Sequence, residues 1–394
     1  VTVRWSTSDE TSSDLWLGLD PQTLVLAYSG APRVRQHEVQ ISGLSPDQKY
    51  YYAVGDSTGV LAGGDSNHFF HTAPDGTSPV SMRVWAIGDS GTANGDARAV
   101  RDAYLNLQPH RDTDVWLMLG DNAYNSGTEP EYQAAVFDTY PSLLRNTPVW
   151  PTFGNHDAQS AASIGESGVY YDTFTLPRQG EAGGVPSGTE AYYSFDHGRV
   201  HFVCLDSQGS SRALGGAMMT WLQADLAAAD ADWIIAFWHH PPYTKGSHDS
   251  DNILDSDGRM KDMREVALPI LEAGGVDLVL GGHSHVYERS FLLDGHYDGS
   301  STFQQSMVLD GGNGSSDGAY SKPTQGQAAH EGAVYTVAGS SGKATTGGTL
   351  DHPAFYIGLR SLGSVVLDIE DQTLTARFLN SAGVIQDTYV ITKG

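Results

Sequence analysis

The chain has 394 residues and a formal charge of −25, with 47 acidic against 22 basic side chains. That balance excludes a nucleic-acid platform, which must neutralise phosphates with Lys and Arg, and it favours solubility. At 39% hydrophobic and 18% charged the composition is globular, and the length suits two domains better than one.

Residues 1–74 read as short strands at 1–6, 14–19, 23–28, 37–41, 50–54 and 68–72, separated by Gly, Pro, Asp and Ser. The spacing predicts an antiparallel sandwich, with Trp5 and Trp16 in its core. The run Leu44-Ser45-Pro46-Asp47-Gln48-Lys49-Tyr50 resembles the Leu-x-Pro-x-x-x-Tyr corner of fibronectin type III domains, in which the Tyr ties a loop down. The polar stretch 73–79 marks the boundary, giving domains 1–74 and 80–394.

From Val80 the pattern becomes strand, polar loop, helix. Strands are predicted at 82–87, 115–119, 200–205, 233–238 and 276–280, and helices at 97–107, 130–144, 218–229 and 262–273. This alternation implies an α/β domain with its chemistry at the carboxyl ends of strands. Beyond Met307 strands return at 333–338, 364–369, 373–379 and 385–391, read as a second sheet. The only cysteine, Cys204, lies in the apolar run at 200–205, so it reads as a buried small hydrophobe and no disulfide framework exists. No apolar run approaches the roughly 18–20 residues of a membrane helix. Val1 already lies in a strand-like segment, compatible with removal of an upstream targeting segment.

Five motifs follow apolar runs: Gly88-Asp89-Ser90-Gly91, Gly120-Asp121-Asn122-Ala123-Tyr124, Gly154-Asn155-His156-Asp157, Trp238-His239-His240-Pro241 and Gly282-His283-Ser284-His285. Asp89 and Asp121 emerge from strands into one crevice, where paired carboxylates repel unless cations join them. His283 and His285 share a face of an extended segment, and Asn155 offers a neutral carbonyl oxygen. Of the adjacent pair His239 and His240, His239 stands closer to the strand end and is the expected ligand. Carboxylates with imidazoles suit iron, zinc or manganese, and a lone cysteine excludes a thiolate zinc site. A phenolate from Tyr124 favours trivalent iron.

These motifs resemble the purple acid phosphatases of the calcineurin-like metallophosphoesterase superfamily, with plant-type lettering through Gly282–Ser290. The resemblance implies an α/β fold: a two-sheet αββα metallophosphoesterase sandwich preceded by an all-β fibronectin III-like domain. It implies Fe(III) held by Asp89, Tyr124 and His285, a second divalent metal (Fe, Zn or Mn) held by Asn155, His239 and His283, and Asp121 bridging. The fourth motif departs from the family's Val-x-x-His, since Ile235-Ala236-Phe237-Trp238 precedes His239. His156, with Asp157 as its partner, and His248 are the expected catalytic residues that face the leaving group.

The implied activity is hydrolysis of phosphate monoesters by attack of metal-bound hydroxide on a small phosphorylated substrate. A phosphodiesterase acting on nucleotide or cyclic nucleotide substrates would use the same ligands. A binding module with a relict metal site is the rival from another class, and seven intact ligands argue against it. A secreted or periplasmic location is expected. His37, His68, His71, His110, His296 and His352 lack surrounding motifs and read as structural or surface residues. The acidic loop around Asp249, Asp251, Asp255 and Asp257 reads as solvated, because its spacing does not match a calcium loop.

Overall fold

The computed structural model describes every residue except Ser78, which belongs to the expected linker. Two compact units emerge, Val1–Ser78 with Pro141–Pro148, and Pro79–Tyr140 with Val149–Gly394.

In the first unit β1 (Thr2–Gly18), β2 (Val25–Gln40), β3 (Lys49–Asp56), β4 (Gly59–Gly63) and β5 (Phe69–His71) form one antiparallel sheet. Its order is β2-β1-β3-β4, with β5 on β3. A sandwich of separate short strands was expected. No Gly or Pro interrupts residues 2–17, so the segments at 1–6 and 14–19 run on as one strand that absorbs its irregularity in register shifts after Ser6 and Thr11. Leu15, Leu17, Val39, Val54 and Phe70 form the core, and Trp5 packs against them. Trp16 lies outside that core. Strand alternation turns Leu15 and Leu17 inward, and hence the residue between them away. The Tyr50 hydroxyl accepts from the Ser45 N–H at 3.0 Å, the tie expected of the corner.

The second unit holds two seven-stranded sheets. One contains β6 (Ser81–Ile87), β7 (Val115–Met118), β8 (Val149–Pro151), β18 (Tyr320–Lys322), β21 (Gly363–Glu370), β22 (Thr373–Asn380) and β23 (Ile385–Lys393). Its order is β18-β23-β22-β21-β6-β7-β8. The other contains β11 (Tyr193–His197), β12 (Val200–Cys204), β13 (Trp233–Trp238), β14 (Leu278–Gly281), β15 (Tyr287–Ser290), β19 (Val334–Ala338) and β20 (Phe355–Leu359). It runs β11-β12-β13-β14-β19-β15-β20. Two short pairs, β9 (Ala161–Ala162) with β10 (Ser167–Gly168) and β16 (Leu292–Leu293) with β17 (Val308–Asp310), lie apart.

The late strands do not make a sheet of their own. β19 joins β14 in parallel, whereas β21 lies between β22 and β6. Val365, Val366 and Leu367 are all buried, so β21 is apolar on both faces and has to occupy a sheet interior.

The sheets stack face to face. Tyr287 of β15 stacks on Phe378 of β22 with ring centres 4.2 Å apart, and Arg289 forks onto Asp387 of β23 at 2.7 and 3.0 Å. Helices cover the outer faces. Gly95–Leu105, capped by the Asn94 side chain accepting from Ala97 N, lays Tyr104 flat on Trp85. Ala217–Ala228 and the stretch 259–273 bury Met219, Leu222, Leu226 and Leu271 against Ile234, Ala236 and Trp238. The latter stretch carries a π turn at Met263–Ala267 just before Pro269, whose missing N–H and bulky ring disrupt the regular ladder there. The expected helix at 130–144 is broken in two: Glu129–Tyr132 runs into a π turn, Gln133–Phe137, and a separate short helix, Pro141–Leu144, begins at the proline. No helix among the described residues is long and apolar enough to cross a membrane.

Candidate metal centre

Strands β6, β7 and β8 run parallel in one sheet, and β13 and β14 run parallel in the other. The loops beyond their carboxyl ends carry the predicted residues: Asp89 after Ile87, Asp121 after Met118, Asn155 after Pro151, His239 after Trp238, and His283 after Gly281. Asp89, Asp121 and His283 have φ of 55°, 53° and 66°, a left-handed backbone that non-glycine residues avoid and that concentrates at functional sites. Surrounding bonds hold these turns: Asp89 N donates to Gly120 O and Gly91 N to Asp121 O, each at 3.1 Å. Gly154 has to lack a side chain, because a Cβ there would run into the backbone and carboxylate of Asp121.

The side chains converge in two groups that share Asp121. Tyr124 Oη lies 3.0 Å from Asp89 Oδ1, 3.0 Å from Asp121 Oδ2 and 3.4 Å from His285 Nε2. His239 Nε2 lies 3.0 Å from Asn155 Oδ1, 3.2 Å from His283 Nδ1 and 3.4 Å from Asp121 Oδ1. The two oxygens of Asp121 therefore face different groups. Asp89, Asp121 and His239 are close enough together to hold one ion, as are His239, His240 and His283.

Burial and charge act against each other here. Burial opposes ionisation of Asp89, but the hydrogen bond and charge of His285 and the charge of His239 outweigh it and lower the pKa. Asp121 is raised by burial and by the negative charge of Asp89. Tyr124 is raised well above the usual phenol range by burial and then by both carboxylates. Burial opposes a proton on His239, yet Asp121 and Asp89 prevail and raise its pKa. His283 is pushed well below the ordinary range by burial and by neighbouring histidines.

The donor chemistry fits a pair of cations. Asn155 Oδ1 only accepts, and His283 Nδ1 lies 3.1 Å from it; with its proton on Nε2, His283 would turn a second lone pair to the same spot. One phenol proton cannot serve both Asp89 and Asp121 at full strength, and a tyrosinate here requires positive charge among these oxygens.

His156 stands beside this cluster. Its N–H donates to Asp121 Oδ1 at 2.8 Å, and its Nδ1–H donates to Asn125 O at 2.6 Å. Nε2 is thereby left toward Asp121 Oδ2, 3.9 Å away. Asp157 is not its partner. That buried carboxylate accepts from Gly154 N, Asn122 N, Asn122 Nδ2 and Tyr132 Oη, bracing the second and third motif loops against each other. Burial and then Asp121 push its pKa to about 6.

His248 stacks on the His283 ring at 3.8 Å and bonds through Nδ1 to Asp255 Oδ1 at 2.8 Å. The acidic loop is therefore not simply solvated: Asp255 faces His248, and Asp251 pairs with Lys245 at 2.8 Å. His240 stays beside His239 and His283, and its Nδ1 lies 2.9 Å from Ser207 Oγ. Sequence reasoning missed Ser256, whose Oγ lies 2.7 Å from His283 Nε2, because an isolated serine in a polar loop carries no local signal.

A profile of the calcineurin-like phosphoesterase family matches residues 82–287, just over half of the chain and all five motifs. The chain belongs to that family. This calcineurin-like phosphoesterase is 28% identical to purple acid phosphatase 15 of Arabidopsis thaliana over 64% of the chain and 49% of that protein. It is 29% identical to purple acid phosphatase 22 of the same plant over 64% of the chain and 53% of that protein. The chain thus spans about half the length of these curated relatives. The purple acid phosphatase PPD1 of yellow lupin superposes with a TM-score of 0.68 over 100% of the chain and 72% of that structure. At 16% identity this last likeness speaks for the fold alone.

Proposed function

We propose that the chain is a purple acid phosphatase-like hydrolase of small phosphate monoesters, with a dinuclear metal centre. The observation that carries this reading is the division of Asp121, whose Oδ1 faces His239 and Oδ2 faces Tyr124. Asp89, Tyr124, His285 and Asp121 would hold Fe(III), and Asn155, His239, His283 and Asp121 would hold Fe, Zn or Mn. Bound there, the metals supply Lewis acidity that activates water near neutral pH and neutralises phosphate oxygens.

The chain's own residues do the rest. His239 donates Nδ1–H to Leu119 O at 2.9 Å, which fixes the ring with Nε2 toward the site. His156, anchored through Nδ1, holds or releases a proton at Nε2 where a leaving alkoxide needs one. His248, held by Asp255, presents its outer edge beside His283 as a second group for the substrate. The monoester preference rests on the likeness to plant purple acid phosphatases. The tyrosine corner supports reading residues 1–74 as a fibronectin III-like module ahead of the catalytic domain at 80–394, and the acidic surface accords with a secreted or periplasmic setting.

The test is the visible absorption spectrum of purified protein, elemental analysis for iron, zinc and manganese, and turnover of p-nitrophenyl phosphate beside bis(p-nitrophenyl) phosphate. A purple band, two metals per chain and faster monoester turnover are expected. Faster diester turnover would replace the monoester reading, and a colourless protein with two zinc ions would remove iron from it.

A further inference from the structure

His283 offers two ring nitrogens, and only the tautomer with its proton on Nε2 leaves the Nδ1 lone pair free for a cation shared with Asn155 and His239. Some partner of Nε2 has to select that tautomer. The Nε2 atom lies 2.7 Å from Ser256 Oγ, and Ser256 Oγ lies 2.8 Å from Asp255 Oδ1. A carboxylate only accepts, so the serine proton goes to Asp255, and the serine oxygen is left to accept from His283 Nε2–H. The direction of this chain of bonds is therefore set by Asp255.

The same carboxylate holds more than the serine. Asp255 Oδ1 also accepts from His248 Nδ1, and Oδ2 accepts from Asp249 N at 2.9 Å. His248 in turn covers the face of the His283 ring. Ser256 and Asp257 adopt φ of 54° and 52°, consecutive left-handed residues with a standing backbone cost. In that conformation the serine hydroxyl reaches the histidine.

We propose that Ser256 and Asp255 are positioning residues for the second metal: they fix the Nε2–H tautomer of His283 and hold His248 over it. The inference deepens the metallohydrolase reading given above and rests on it for the role of Nδ1. No local motif marks either residue.

Two variants test it, Ser256→Ala and Ser256→Gly. Both remove the hydroxyl, and glycine also relieves the left-handed backbone, so a folding defect confined to alanine is separated from loss of the bond. Long-range 15N–1H spectra of histidine-labelled, chelator-treated protein report the tautomer of His283, which a merely structural role would not change. Zn2+ titration reports the second site. In both variants the Nε2–H tautomer should give way to a mixture, and Zn2+ affinity should fall about 10- to 100-fold. Wild-type tautomer and Zn2+ affinity in both variants would overturn the proposal, as would an effect seen in alanine but not in glycine. A wild-type protein that takes up no Zn2+ would instead sink the metal reading, and the tautomer spectra would still decide the bond relay.

Discussion

Asp121→Asn should have opposite effects on stability with and without metal. Asp121 is 2% exposed, and burial together with the charge of Asp89 raises its pKa, so its ionised form costs folding energy in the metal-free chain. Asparagine keeps the shape and a carbonyl oxygen for the His156 N–H while removing that charge. Metal-free variant should therefore unfold at the same temperature as wild type or higher. Metal reverses the order. A site occupied at a hundredfold excess over its Kd adds about 2.7 kcal/mol, so two sites add about 5 kcal/mol to the wild type. A tenfold weaker affinity at each removes about 1.4 kcal/mol per site, and Asp121 faces both, so the variant forfeits about 3 kcal/mol. Thermal unfolding of chelator-treated and metal-loaded protein, paired with elemental analysis, reads both arms. A variant that is less stable without metal, or that gains as much from metal as wild type, would refute the reasoning.

Tyr124→Phe should abolish the visible band while the second metal stays bound, as read by absorption and metal content. His156→Ala should lower kcat about 10²- to 10⁴-fold with metal content unchanged, measured on a phosphate monoester; an unchanged kcat would remove His156 from proton transfer. His201 is buried between Asp196 at 2.6 Å and Asp225 at 2.9 Å. Burial opposes its charge, but the two carboxylates prevail and raise its pKa to about 9. Its stabilisation is present in full below about pH 6.5 and is lost as pH rises through 9. The shift is worth about 3 kcal/mol, and about 2 kcal/mol once the half-exposed Asp196 is discounted. Urea unfolding of wild type and His201→Gln at pH 6 and pH 10 should show the gap between them narrowing by that amount. Asp277→Asn should destabilise the chain by about 3–5 kcal/mol in the same assay, since Asp277 is the shared counter-charge of buried Lys322 and Lys393.

What the sequence made legible was local. Each of Asp89, Asp121, Asn155, His239 and His283 lies within a short turn of an apolar run, so the strand ends alone announce a shared crevice. Helix Ala217–Ala228 differs from its expected span by one residue at each end, because its apolar spacing sets it. Pairing was not legible. Nothing in 363–370 tells which neighbour that strand will choose, since an apolar run suits the interior of either sheet. The long β1 was missed for a related reason: polar Ser and Thr look like a break but keep the two-residue alternation. Asp157 could be seen in its motif, yet its donors come from Asn122, Gly154 and Tyr132, and two of these lie in another motif loop or in the helix that follows it.

The architecture explains why such a costly cluster can persist. Three of the predicted ligand residues sit in left-handed backbone, and two buried carboxylates share a phenol proton, so the bonds within the loops need support from the frame around them. Their ends are fixed by strands whose interiors are wholly buried, and the two sheets are tied by buried ion pairs, Arg289 with Asp387 and Lys393 with Asp277. Breaking one partner of such a pair strands a charge in the interior, which makes sliding of one sheet over the other expensive. Asp89 and Asp121 hang from one sheet and His239 and His283 from the other. A shift between sheets would separate Asp121 from His239 before it disturbed either sheet's hydrogen bonding. The rigidity of the sandwich core therefore sets the spacing of the two donor groups.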